Sequence, residues 1–174
     1  MRSAAFALCL SLCLASAGGD IANAIEPTRE RVELTRLTGR WYEVARLPNK
    51  MQKDCAAATS DWVRSGDIYS VVQTCHKGTA EGPKTEWRAK AQILDPQRNS
   101  RLRMSFFGGL LNQEYWVLDH RPEQGWVLLG TPGGRGLWLM SQRPALNPKV
   151  RAQALERVRQ LGYDISKLEF AGRD

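Results

Sequence analysis

Thr85-Glu86-Trp87-Arg88-Ala89-Lys90-Ala91-Gln92-Ile93 and, beyond a turn at Asp95-Pro96-Gln97, Arg101-Leu102-Arg103-Met104-Ser105-Phe106-Phe107 are the stretches that decide the fold class. In the first, Trp87, Ala89, Ala91 and Ile93 alternate with Arg88, Lys90 and Gln92; in the second, Leu102, Met104 and Phe106 alternate with Arg101, Arg103 and Ser105. A period of two puts the apolar set on one face of a strand and the charged set on the other, so each is half-buried with one wet face. Outward from this pair, further strand-like runs occur at 41–47, 57–64, 68–75, 115–118, 126–130 and 137–141. Turn-rich pieces such as Ser65-Gly66-Asp67, Gly108-Gly109 and Gly133-Gly134 separate them. Eight short strands in succession, joined by hairpin-length turns, predict antiparallel pairing, and closure into a barrel removes the exposed edges. A two-sheet sandwich is the competing arrangement. One helix is expected near the C-terminus, where Asn147 caps, Pro148 takes the first position, Val150, Ala154, Val158 and Leu161 share a face and Gly162 ends the run. With Arg151, Gln153, Arg157 and Gln160 on its other side, it should pack on the outside of the sheet.

The chain has 174 residues, 43% apolar and 25% charged, the composition of one globular domain. An uncharged stretch at 3–19 behind Arg2, followed by Ala22-Asn23-Ala24, reads as a secretory signal cut after Ala24, leaving a single domain at 25–174. That leader holds one base and one acid, Arg2 and Asp20, so its removal leaves the net charge of +7 unchanged. The basic residues are scattered without a long run, which favours a solvated surface with weak attraction to anionic membrane headgroups; export argues against nucleic acid. Cys9 and Cys13 fall inside the leader, each preceded by Leu where lipid attachment wants a small residue, so no lipid anchor is expected. Cys55 and Cys75 remain, an even number in a compartment where disulfides persist, and one bridge is expected. Placing them directly opposite one another centres a hairpin turn on Ser65, with Gly66 as the third loop residue.

At Gly39-Arg40-Trp41-Tyr42-Glu43-Val44-Ala45-Arg46-Leu47 the chain resembles the lipocalins, whose first strand opens with Gly-x-Trp. In the same order follow Val71-Val72-Gln73-Thr74-Cys75, Met104-Ser105-Phe106-Phe107, Tyr115-Trp116-Val117-Leu118-Asp119, Leu137-Trp138-Leu139-Met140-Ser141 and Gly162-Tyr163-Asp164-Ile165-Ser166-Lys167-Leu168. The likeness is closest to bacterial outer-membrane-type lipocalins related to apolipoprotein D. It implies an all-β, eight-stranded up-and-down barrel with a ligand cavity inside and the helix outside, a width that suits one small ligand. Two positions depart from the family pattern: Gln142 stands where an Arg usually covers the tryptophan at the closed end, with Arg143 one place later, and Gln73 stands where Asn is common. Gly39, Trp41 and Arg143 are accordingly given structural roles.

Alternation anchored on an inward Trp41 puts Glu43, Ala45 and Leu47 on the cavity wall, joined by Trp87, Ala89, Ala91, Leu102, Met104, Phe106, Trp138 and Met140. A carboxylate at Glu43 on an apolar wall needs a cation or water, and a positive ligand headgroup would supply the cation. The mouth loops are expected at 48–54 and 108–112, with Leu110 and Leu111 able to touch a membrane. Catalysis finds little support: neither His76 nor His120 neighbours a free nucleophile, Cys75 is spoken for, and no three-ligand metal set is spaced for binding. The glycine-rich piece at 130–136 lacks the Lys-Ser/Thr and the helix of a phosphate loop. The expected protein is therefore an exported, non-enzymatic carrier in the periplasm or at the outer membrane of a Gram-negative bacterium. It would hold a fatty acid, lysophospholipid or similar amphiphile, need no cofactor, and exist as a monomer or weak dimer. An enzyme or a pigment or haem binder on the same scaffold, or a protein-binding factor with a filled barrel, are the alternatives.

Overall fold

A computed structural model describes residues 25–172; the expected leader, with Cys9 and Cys13, lies outside them. Strands β1 (Gly39–Arg46), β2 (Cys55–Ser65), β3 (Ile68–Lys77), β4 (Lys84–Ile93), β5 (Arg101–Phe106), β6 (Leu111–Arg121), β7 (Trp126–Gly130) and β8 (Leu137–Ser141) each pair antiparallel with the next, and β1 closes the ring by bonding both β8 and β2. Closure gives each of these eight strands a partner on both sides, as expected. β1 parts from β2 beyond Tyr42, and a short β9 (Glu169–Phe170) takes the vacated side of β1, pairing at Ala45 and Arg46. The chain is stitched across this gap where Ala171 N–H donates to the Val44 carbonyl and Gly172 N–H to that of Ala56.

Two apolar clusters lie on the two faces of the wall. Inside the barrel are Trp41, Trp62, Tyr69, Val71, Ala89, Ala91, Leu102, Met104, Phe106, Val117, Val127 and Met140. Outside, Ala45, Leu118, Trp126, Leu128, Leu137 and Leu139 pack against Ala154 and Val158 of the helix α1 (Pro148–Gln160). The Asn147 side chain accepts from Lys149 N–H and Pro148 sits at the first position, so the helix begins as its sequence dictates. Asp119 fastens it to the barrel, accepting from Arg157 Nε at 2.7 Å and Arg121 Nε at 2.8 Å. Among the described residues no helix is long and apolar enough to cross a membrane.

Three features differ from expectation. β6 begins at Leu111 rather than 115, because Leu111 to Glu114 ladder with Phe106 to Arg103 through the backbone although three of these four are polar. The β2–β3 turn has two residues, not three: Ser65 faces Ile68, and Gly66, at φ +61, takes the first central position of the turn. The register shifts accordingly, so Cys75 faces Ala58 and Cys55 faces Lys77 beside a bulge at 55–57. The Cys55–Cys75 bridge still forms, on a diagonal, with Cα atoms 5.5 Å apart. A further bulge sits in β1: Glu43 faces Met140 but Ala45 faces Leu139, so one extra residue is inserted and the alternation flips.

Candidate functional site

The β1 bulge decides which side chains enter the barrel. Before it, Trp41 and Glu43 point inward; after it, Ala45 and Leu47 join the cluster under the helix. Arg46 turns in instead, and its side chain is only 4% exposed. Ala45 and Leu47 are therefore not cavity residues, contrary to strict alternation, because a bulge exchanges the two faces of a strand.

Arg46 is the cation Glu43 requires. Its Nη1 donates to Glu43 Oε1 at 2.5 Å, and its Nη2 reaches Glu169 Oε2 at 2.7 Å, the Cys55 carbonyl at 3.0 Å and the Gln52 carbonyl at 3.2 Å. The charge on Glu43 is thus matched from within the chain, and no headgroup is needed to balance it. Gln52, in the loop that crosses the mouth, extends the network: its Nε2 donates to Glu43 Oε2 at 2.6 Å, and its Oε1 accepts from Trp138 Nε1 and Asn49 Nδ2, both at 2.8 Å. The mouth loop, the first strand, the eighth strand and the C-terminal strand are bonded together at this point.

Beside the network lies a cavity lined by Glu43, Trp87, Met104, Trp138 and Met140, all expected on the wall. Ala58, Thr59, Ser60, Trp62, Gln73, Thr74, Tyr115, Leu129 and the loop residues Asn49, Met51 and Gln52 complete it. The Tyr115 ring lies 5.2 Å from that of Trp138, and burial pushes its hydroxyl pKa up to about 12, so it stays protonated. Ala89, Ala91 and Phe106 lie in the packed interior and do not line this cavity; Leu102 borders a small apolar void beside Trp41. The enclosed room is about 50 Å³. Four aromatic residues, three thioethers and a polar side confined to amides and hydroxyls around one neutralised carboxylate make a surface suited to an amphipathic guest.

The opposite end is shut. Trp41 is buried, its Nε1–H donating to the Leu37 carbonyl at 2.9 Å, with the His120 ring 6.4 Å away edge-on. Burial lowers the His120 pKa. Arg143 is exposed and its backbone N–H donates to Ser141 Oγ, whereas Gln142 Nε2 reaches the Arg36 carbonyl at 3.5 Å. His120 therefore sits at the tryptophan where an Arg was expected, because the chain turns away directly after Ser141. Gly39 opens the strand at φ +97, which favours glycine. Among the described residues no three His, Cys, Asp or Glu side chains gather to hold a metal ion.

A closed eight-stranded barrel, an external helix and a tryptophan-plugged floor now stand beside a family model for the lipocalin-like domain that matches residues 32–172. The chain belongs to this family. Its relatives include the outer membrane lipoprotein Blc of Vibrio cholerae, 27% identical over 94% of this chain and 96% of that protein. Temperature-induced lipocalin-1 of Arabidopsis thaliana is 26% identical over 79% and 77%, and mouse apolipoprotein D 21% identical over 82% and 77%. Among solved structures, insecticyanin from the tobacco hornworm Manduca sexta superposes with a TM-score of 0.69 at 17% identity, covering 86% of this chain and 85% of that one, which bears on fold alone. Lipocalins bind small hydrophobic ligands, and the cavity of this lipocalin lies at the open end of its barrel.

Proposed function

We propose that this lipocalin is a non-catalytic carrier of a single amphipathic lipid, a fatty acid or lysophospholipid, in the bacterial cell envelope. The observation that carries the reading is the cavity between Trp87, Tyr115 and Trp138, apolar on its walls and bounded at the mouth by the Gln52 amide. Each acyl methylene moved from water into such a wall contributes about 0.8 kcal/mol, so tight binding needs no elaborate polar code. The enclosed room of about 50 Å³ admits the end of a chain, and a longer guest enters by displacing Gln52 from Trp138. The leader-like N-terminus and the outer-membrane relatives support the envelope assignment. The test is a tryptophan fluorescence titration of delipidated, oxidised protein with lysophospholipids and fatty acids. Saturable quenching at one ligand per barrel is the expected result. A flat response from folded protein would instead support a filled barrel.

A further inference from the structure

We propose that the open end of the barrel docks on an anionic lipid bilayer, with the β5–β6 tip at 107–111 entering the acyl boundary while Arg88 and Lys90 meet phosphate headgroups. This goes beyond the carrier reading and can be scored without any cavity ligand. Four of the six large apolar side chains exposed among the described residues lie at the mouth: Met51, Phe107 and Leu110 in its loops and Leu111 at the start of β6. Leu110 is 91% exposed and Phe107 54%, and positions 104–113 carry no charge in a chain where one residue in four is charged. The tip is built rather than loose. Phe107, Gly108 and Gly109 take φ of +52, +70 and +100 in succession, Asn112 Nδ2 donates to the Gly109 carbonyl at 2.8 Å, and Ser105 Oγ donates to Asn112 Oδ1 at 2.6 Å. A left-handed backbone at a phenylalanine is strained, and the fold holds that strain to present an apolar ring to solvent.

Charge points to the partner. The groove between this tip and the outer face of β3 to β5 is bounded by Arg88, Lys90, Ser70, Ser105, Gly108 and Gly109, with no acidic residue in its wall. Across the mouth, the β1–β2 loop adds Lys50 and Lys53 beside Met51. Apolar side chains at a tip flanked by bases match a bilayer of acyl chains under phosphates, in which Lys and Arg are attracted to anionic lipid. Docked in this way, the mouth faces the membrane, and a water-insoluble guest passes between them without crossing solvent.

The experiment is sedimentation of the protein with phosphatidylcholine vesicles and with vesicles in which part of the phosphatidylcholine is replaced by phosphatidylglycerol. Binding should favour the anionic vesicles and weaken with salt. Leu110→Ser should lower the partition coefficient about tenfold. Arg88→Gln and Lys90→Gln should each lower it about fivefold, on the anionic vesicles only. Val63→Ser, 67% exposed at the opposite end of the barrel, is the control and should change nothing. Equal binding to both vesicle types, an unchanged L110S, or a loss in V63S as large as in L110S would overturn the proposal. So would concentration-dependent dimerisation that L110S abolishes in a protein that ignores vesicles, since the tip would then be an interface between copies.

Discussion

Replacing Arg46 by methionine keeps most of the buried stem and removes only the charge that the inner wall is arranged around. The Arg46 side chain is 4% exposed and that of Glu43 2%, so the substitution strands a carboxylate that keeps the hydrogen bond from Gln52 Nε2 but loses its cation. Removing one member of a buried pair costs about 3–5 kcal/mol because the other charge stays desolvated. Two features put this site near the lower figure: Glu169 is 47% exposed and returns to water cheaply, and Arg46 Nε is already buried without a partner. R46M should therefore cost about 3 kcal/mol, a large share of the roughly 5–15 kcal/mol that stabilises a domain. Glu43→Gln should cost less, about 1–2 kcal/mol, since Arg46 keeps Glu169 and two carbonyls. With both replaced, no uncompensated charge is buried, so the double variant should recover about 1.5 kcal/mol relative to additivity. Urea unfolding followed by tryptophan fluorescence measures all four proteins. A loss below about 1 kcal/mol in R46M, or strict additivity in the cycle, would refute the claim that these groups form one buried unit.

Removing the bridge in C55A/C75A should lower stability by about 3 kcal/mol on a loop-closure basis for a separation of 20 residues, read as a lower urea midpoint with an intact barrel by circular dichroism. His120 is held below its ordinary 6.5 by burial, so the unfolded chain takes up the proton first; its contribution is complete above about pH 6.5 and is lost as the pH falls toward the folded-state value. His120→Gln should flatten that part of the stability profile, and an unchanged slope would rule His120 out as its source. Burial raises Tyr69, Tyr115 and Tyr163 from 10 to about 12, so the stability they lend is full below pH 10 and disappears as pH rises through 12. Phenolate absorbance from these three should therefore rise together with loss of the fold, not ahead of it.

Most of the barrel was legible because alternation at 87–93 and 101–106 is a direct imprint of one wet and one dry face. The same logic failed in β1. Trp41, Glu43, Ala45 and Leu47 alternate plausibly, yet the bulge sends Ala45 to the helix side and Arg46 inward. A signal was present: Glu43 and Arg46 are three apart, a spacing that puts them on opposite faces of a regular strand, and a buried carboxylate seeking a cation finds Arg46 only if the strand is irregular. Cys75 was expected opposite Cys55, but backbone turn geometry at Gly66 sets the register, and side-chain chemistry does not disclose it. Gln52 and Asn49 reach the cavity from a loop, where no periodicity applies; Tyr115, by contrast, lay within a recognised strand and shares the inner face with Val117. Arg143 failed as a cover for Trp41 because the chain leaves the barrel after Ser141, and His120, from β6, stands there instead.

Methionine placement offers the most direct check on the cavity. Of the four methionines in the sequence, Met51, Met104 and Met140 all line it, the first at the mouth and the others on the wall. Methyl-labelled methionine NMR of the delipidated protein, before and after addition of one equivalent of a lysophospholipid or fatty acid, reads the inside of the barrel residue by residue. Binding in this cavity should shift the Met104 and Met140 methyl signals and give through-space contacts with the acyl chain. Saturable binding that leaves both signals unmoved would contradict it, because the ligand would then lie somewhere other than between Trp87, Tyr115 and Trp138.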